Sequence, residues 1–255
     1  MAAIAFFPFE FVDIPSVGCA FTSRRGGFSE PPHDSANLSF EVGDDENAVR
    51  DNRRSIADRL GLTGWNECIQ VHGDVIHFDP APGEPEDMTE LEGDGLTTAT
   101  PGVGLVIKTA DCQPVLLAHR SGKYIAALHV GWRGNKNNFP GLGVRRFCKQ
   151  YDLDPADIFA VRGPSLSPEA SEFVNFDSDF GPGFQKNFNS ATMTMDLWSQ
   201  TRDQLIKAGL PEDHIFGMDL CTLTKEDTFF SYRKMCADGA NETGRQAGII
   251  WIKQD

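Results

Sequence analysis

Three residues far apart in the chain are of types that bind a transition metal. They are His72 in Gln70-Val71-His72-Gly73, Cys112 in Thr109-Ala110-Asp111-Cys112, and His129 at the head of His-Val-Gly-Trp-Arg-Gly. A thiolate and two neutral imidazoles suit Zn²⁺, and copper accepts the same donors. Three protein ligands leave a fourth position open, which is the pattern of catalytic rather than structural zinc. The same atoms fit a second chemistry, with Cys112 as nucleophile and His129 or His72 as its base. Spacing does not separate the two, because the three residues form no short-range metal motif. Asp111, next to Cys112, is a candidate proton-transfer or ligand-supporting group, with capping of its own turn as the alternative. Trp132 offers a flat apolar wall, and Arg133 a planar cation for phosphate or carboxylate. Structural roles compete for each: a buried Cys is commonly inert, Trp132 suits a core, and Arg133 suits a loop brace. His77 is an alternative ligand to His72, with a surface or supporting place favoured. No G-x-S-x-G, Walker A or dinucleotide-binding glycine fingerprint is present.

These residues fall at the ends of short apolar runs. Val115–His119 and Tyr124–Val130 flank Arg120-Ser121-Gly122-Lys123 and read as a hairpin. Tyr124, Ala126, Leu128 and Val130 face one side; Ile125, Ala127 and His129 face the other. Both faces are mostly apolar, so the strand is expected to be buried on both. Pro114 suits a strand start, which places Cys112 at a strand mouth, and Glu67–Val71 reads as a strand ending at His72. Further strands are expected at 18–23, 103–108, 158–162, 215–219, 229–233 and 248–252. Helices are expected from about Glu46 to Leu60, with Asp44 or Asp45 as N-cap and Gly61 after the end, and from about Leu197 to Ala208, capped by Asp196. A weaker one covers Val144–Tyr151. The pattern is a mixed α+β fold, with sheets covered by helices, rather than a regular βαβ winding.

Composition limits the function. The chain has 23 Lys and Arg against 37 Asp and Glu, a formal charge of −14, which repels phosphate backbones and disfavours nucleic-acid partners. A local basic pocket for a small anion stays open. No apolar run approaches the roughly 20 residues that span a bilayer, so no membrane partner is expected. The opening MAAIAFFPFEFVDIP lacks a basic segment and is interrupted by Pro8 and Glu10, so it reads as a first strand rather than a signal peptide. Six widely spaced cysteines without a CxxC point to reduced thiols and a cytoplasmic location. The loops at 80–92 and 176–188 are too short to link domains.

Taken together, the segments FTSRRGGFSE, VGDD, QVHG, DGLTTATPGVGLVIKTADCQPVLL, HVGWRG, GPSLSP, FFSYRK and GRQAGIIWI occur in a telling order. The chain resembles the YfiH-like proteins, also called the laccase-domain (multicopper polyphenol oxidase) or peptidoglycan editing factor family, from about Gly18 to Ile252. The resemblance implies one domain over residues 1–255, with a mixed β-sheet sandwich flanked by helices, a cysteine-hydrolase-like fold. It implies a metal, usually zinc, on His72, Cys112 and His129. The implied activity is phosphorolysis of adenosine, inosine or methylthioadenosine, with adenosine deamination. Nucleoside and phosphate are then the partners; Arg24 and Arg133 become candidates to hold the phosphate, and Asn37 a polar partner. Editing of peptidoglycan precursors, copper-dependent phenol oxidation and a non-enzymatic regulatory role are the alternatives. Phenol oxidation by several coppers needs many imidazoles, and the chain has six His. The sequence departs from the family pattern in three places. Glu169-Ala170-Ser171 stands where Cys-Cys-Tyr is expected, Glu41 stands in place of a His, and Pro140, Gly141 and Gly143 weaken a helix expected after GWRG. Oligomeric state is not legible.

Overall fold

The computed structural model describes residues 3–254. In chain order the strands are β1 (Phe6–Phe9), β2 (Val17–Thr22), β3 (Gly64–Asn66), β4 (Ile76–Phe78), β5 (Gly95–Thr98), β6 (Val103–Thr109), β7 (Gln113–His119), β8 (Ile125–Val130), β9 (Ile158–Arg162), β10 (Phe188–Asn189), β11 (Thr194–Met195), β12 (Ile215–Gly217) and β13 (Gln246–Ile252). The helices are α1 (Glu46–Leu60), α2 (Trp132–Lys136), α3 (Phe139–Tyr151), α4 (Phe176–Asp179), α5 (Leu197–Lys207) and α6 (Tyr232–Ala237). Two mixed sheets dominate, one in the order β1-β2-β13-β6-β3 and one in the order β12-β9-β7-β8-β5-β4.

The strands are apolar on both faces because each sheet is covered twice. Between the sheets, Cys19, Phe21, Leu105, Ile107 and Ile250 of the first meet Leu96, Leu116, Ile125, Ala127 and Val161 of the second. The outer face of the second sheet packs Val115, Leu117, Leu128 and Val130 against Phe139, Val144 and Phe147 of α3 and Leu205 of α5. The outer face of the first packs Val106, Ala247 and Ile249 against Ile56 and Ala57 of α1. The result is four layers, helix–sheet–sheet–helix, and the expected alternation along β8 is realised on its two faces.

Local signals explain most element ends. Asp45 caps α1 by accepting from the amides of Asn47 and Ala48, and Asp196 caps α5 by accepting from Ser199. Three expectations need correction. α3 starts at Phe139, five residues before Val144, because Pro140 falls in the first turn, where its missing N–H goes unused. A Cβ on Gly143 would stand 2.4 Å from Leu128 Cδ1, so the glycine that weakens the helix lets it lie against β8. Residues 67–71 form no strand; their one β-type pairing is the isolated Ile69–Glu92 bridge. Residues 229–233 form no strand either; Phe229 and Phe230 are buried, and the Ser231 side chain accepts from Lys234 to start α6. The initial strand is Phe6–Phe9; Met1 and Ala2, which the first-strand reading also took in, lie outside the described residues.

Candidate metal centre

The chain passes from one sheet to the other between β6 and β7, and the turn that makes the crossing is Ala110-Asp111-Cys112. Asp111 takes φ +89° there. Both its carboxylate oxygens are engaged, one by Thr222 Oγ1 at 2.7 Å and one by the amide of Arg233 at 2.7 Å. They tie the turn to the segment after Cys221 and to the start of α6. Burial raises the Asp111 carboxyl above its ordinary value, against the pull of the Thr222 and Arg233 bonds.

Cys112 thus leaves the turn beside the start of β7, where Gln113 pairs with Val130 and Pro114 with His129. Register alone sets Cys112 and His129 at the same end of the hairpin. His72 comes from the loop between β3 and β4, with φ +58°. Its ring centroid lies 4.8 Å from that of His129. One ligand atom from each of His72, Cys112 and His129 lies within 4.8 Å of the others. Tetrahedral zinc with bonds of 2.0–2.3 Å sets its ligands about 3.5 Å apart, so a contraction of about 1 Å closes the set. Gly131 makes room for it: a Cβ there would stand 3.0 Å from both Cys112 Sγ and His72 Nδ1.

One residue that was not among the candidates organises the cluster. Asp94, fully buried, accepts from the amides of Val71 (3.3 Å), His72 (3.0 Å) and Gly73 (2.6 Å), and its Oδ1 lies 2.7 Å from His129 Nδ1. A single carboxylate therefore fixes the His72 loop and orients the His129 ring, leaving Nε2 as the free nitrogen of that imidazole. This is the carboxylate–histidine arrangement that supports a bound metal. Burial alone would raise the Asp94 carboxyl; the bonds from His129, Gly73 and His72 outweigh it and hold the carboxyl below its ordinary value. Burial lowers His72 to about 4, with the like charge of His129 adding to the effect, so it stands ready as a neutral ligand. Burial opposes the charged form of His129 too, but Cys112 and Asp94 outweigh it and raise that ring to about 9 in the metal-free protein. The donor set, its spacing and its carboxylate support fit a metal such as zinc.

The cluster lies in the wall of a cavity of about 730 Å³ that also reaches Trp132, Arg133, Phe173, Arg233 and Arg245. Trp132 packs edge-on to Phe173 at 6.0 Å, and Arg133 lies over the Trp132 ring at 4.5 Å. Among the described residues, Arg133, Arg233 and Arg245 form no ion pair, in a chain with 37 acidic residues. Glu41 reaches the same cavity and pairs with Lys108 at 2.7 Å. Two expected substrate residues sit elsewhere. Arg24 bonds the carbonyls of Asp34 and Glu226, pairs with Asp34 at 3.3 Å, and is absent from the cavity lining. Asn37 is fully buried, bonded to Ser39, Asp44 and the backbone of Arg245. His77 bonds the Glu92 carbonyl at 2.8 Å, outside the cluster. Sequence reasoning missed Asp94 and Arg245. The only signal for either was membership of a longer quoted segment, with nothing in the local pattern to mark it.

Comparison with known proteins agrees with this architecture. YlmD from Geobacillus stearothermophilus superposes with a TM-score of 0.85 at 28% identity, covering 96% of this chain and 94% of that one. A YfiH protein of Bacillus licheniformis gives 0.83 at 28%, covering 93% of each. In sequence, YfiH of Escherichia coli, named a purine nucleoside phosphorylase, is 34% identical over 248 residues, covering 92% of this chain and 94% of that protein. Residues 18–253 match the family described as multi-copper polyphenol oxidoreductase laccase. The match takes in all three candidate ligands, the crossover turn and the carboxylate that holds His72 and His129, and the chain belongs to that family.

Proposed function

We propose that the chain acts, as one domain over residues 1–255, as a zinc-dependent purine nucleoside phosphorylase on adenosine, inosine and methylthioadenosine. The observation that carries this reading is the meeting, in one cavity, of the His72–Cys112–His129 cluster with three arginines that lack carboxylate partners. The name of the Escherichia coli relative supports the same chemistry. In phosphorolysis a phosphate oxygen attacks the anomeric carbon, the glycosidic bond breaks, and the base leaves with the bonding electrons. The arginines neutralise the incoming anion and hold it in line. Trp132 and Phe173 provide an apolar face for the purine. The metal, when bound, supplies a Lewis acid at the cavity wall. Adenosine deamination rests on the family resemblance and belongs to the same site.

The four other imidazoles are engaged away from the cluster. His33 bonds Val42, His77 bonds Glu92, His119 bonds Ser121, and His214 stacks on Phe159. That distribution favours a single mixed site over several coppers. A cytoplasmic location fits the six free cysteines and the lack of any described helix long and apolar enough to cross a membrane.

The test is metal analysis of the purified protein with a nucleoside-plus-phosphate product screen. Zinc near one equivalent, with free base and ribose 1-phosphate as products, is the expected result. Ammonia release from adenosine reports the deaminase. A chelator should inactivate the wild type, and Cys112→Asp should keep some metal and some turnover, because a carboxylate still binds zinc. Full activity after chelation together with an inactive Cys112→Asp would replace this mechanism by the cysteine-nucleophile reading. A metal-bearing protein without nucleoside turnover would leave peptidoglycan editing or a binding role.

A further inference from the structure

Arg245 stands where the ladder between β13 and β6 runs out. Gln246 pairs with Thr109, so Arg245 lies one residue beyond that pair, alongside the turn that carries Asp111 and Cys112. Its backbone is clamped on both sides. Its N–H donates to Asn37 Oδ1 at 2.9 Å, and its carbonyl accepts from the amide of Leu38 at 3.0 Å. Asn37 is itself held, through Nδ2, by the Ser39 carbonyl and Asp44.

The guanidinium is fixed by one edge only. Nη1 donates to the carbonyls of Thr243 and Gly244, each at 2.9 Å. Among the described residues, Nε and Nη2 have no hydrogen-bond partner, and no carboxylate lies within ion-pair distance of the side chain. The residue is half-buried and lines the cavity. Of the other cations of the cavity, Arg233 is also half-buried with no counter-ion among the described residues, but one carbonyl holds its guanidinium where two hold that of Arg245. Lys108 is neutralised by Glu41 at 2.7 Å and Glu67 at 3.3 Å. Arg233 donates through Nη1 to the Glu172 carbonyl. Arg133 is exposed and held only by stacking over Trp132. A half-buried guanidinium without a counter-ion is a standing electrostatic deficit that an anion from solution corrects. Burial pushes this group below its ordinary value, with Cys112 and Asp111 opposing. The Nε–Nη2 edge of a guanidinium matches two oxygens of a carboxylate or phosphate in a fork.

We infer that Arg245 is the phosphate receptor of the cavity, its free Nε–Nη2 edge taking two phosphate oxygens, with Asn37 as the positioning residue that holds its backbone. The choice of phosphate as the anion rests on the proposed function; the test therefore reads binding separately from turnover. Inorganic phosphate is titrated calorimetrically into the full-length, zinc-loaded wild type, Arg245→Gln and Arg245→Lys. Phosphorolysis is measured on the same proteins with each substrate varied in turn. Loss of two charge-assisted bonds should weaken phosphate binding by about tenfold or more in Arg245→Gln. Arg245→Lys should recover only part of it, because an ammonium offers no fork. KM for phosphate should rise in both while KM for nucleoside and zinc content stay near wild type. Asn37→Ala should raise KM for phosphate alone. Wild-type phosphate affinity in Arg245→Gln overturns the inference, and so does a wild type that binds no phosphate. Full affinity in Arg245→Lys overturns the forked contact. Loss of zinc and nucleoside binding together with phosphate in both variants would mark Arg245 as a structural residue and overturn it too. Phosphate binding that depends on Arg245 without any phosphorolysis would sustain the receptor and remove the proposed activity.

Discussion

The β7–β8 hairpin and the loop that carries His72 deliver candidate ligands to the same point by opposite means. The hairpin is apolar on both faces and buried between a second sheet and α3. Its backbone register brings the strand start that follows Cys112 beside His129. The loop from Glu67 to Val75 has no ladder; its last turn hangs on the carboxylate of Asp94, which takes three successive amides. One region positions by packing and backbone pairing, spread over many residues. The other positions by one buried charge, concentrated in a single side chain. The first should therefore fail in stability before it fails in geometry, and the second in the reverse order.

The largest expected effect tests the hairpin. Leu116 is fully buried between the sheets, and Leu116→Ala should cost about 2–5 kcal/mol of unfolding free energy. Zinc stoichiometry of the folded fraction should stay at the wild-type value. Denaturant unfolding with metal analysis checks both, and a loss of zinc at full stability would break the contrast.

Asp94→Asn tests the loop. The amide brings a donor to a place where three backbone N–H groups and an imidazole already point. Zinc affinity should fall about 10–100-fold, measured by competition with a chromophoric chelator. An unchanged affinity would show that the His72 loop holds its own shape.

Gly131→Ala strikes where the two regions touch. Its Cβ would press on Cys112 Sγ and His72 Nδ1 at 3.0 Å. The fold should survive, while zinc affinity falls by about tenfold, an overpacking effect of about 1–2 kcal/mol.

The smallest effect concerns the cavity wall, outside both regions. Burial would raise the Glu41 carboxyl, but Lys108 outweighs it and holds the group below its ordinary value. A pKa lowered by folding means the pair's stabilisation is complete above the unfolded value of about 4.3 and is lost as pH falls through the lowered folded value. Lys108 keeps Glu67 as a second partner, and Glu41 is partly exposed. Glu41→Gln should therefore cost about 1 kcal/mol or less at pH 7. The difference from wild type should vanish in acid, as thermal melts at stepped pH would show.

Much of the fold was legible because apolar periodicity and capping are local. The Asp44-Asp45 pair and Asp196 announced the starts of α1 and α5, the parity of β8 announced burial on both faces, and the motif order named the three residues that the fold brings together. The misreadings came where tertiary contacts override local preference. Pro140 and Gly143 argue against a helix along the chain, yet they sit where a first turn tolerates proline and where α3 must approach Leu128 closely. Residues 67–71 are apolar enough for a strand, but their last amide, and the two that follow, go to a carboxylate more than twenty residues away. Arg24 and Asn37 have the right chemistry for a substrate, yet their polar atoms are taken by Asp34, Glu226, Ser39 and Asp44. The sequence by itself determined the types of the candidate ligands, most of the element pattern and the family. Tertiary structure alone decided which polar groups remain unpaired at the cavity, because a hydrogen bond depends on separation in space: Asp94 lies far along the chain from His72 and His129, and Arg245 from the Asn37 and Leu38 that clamp its backbone.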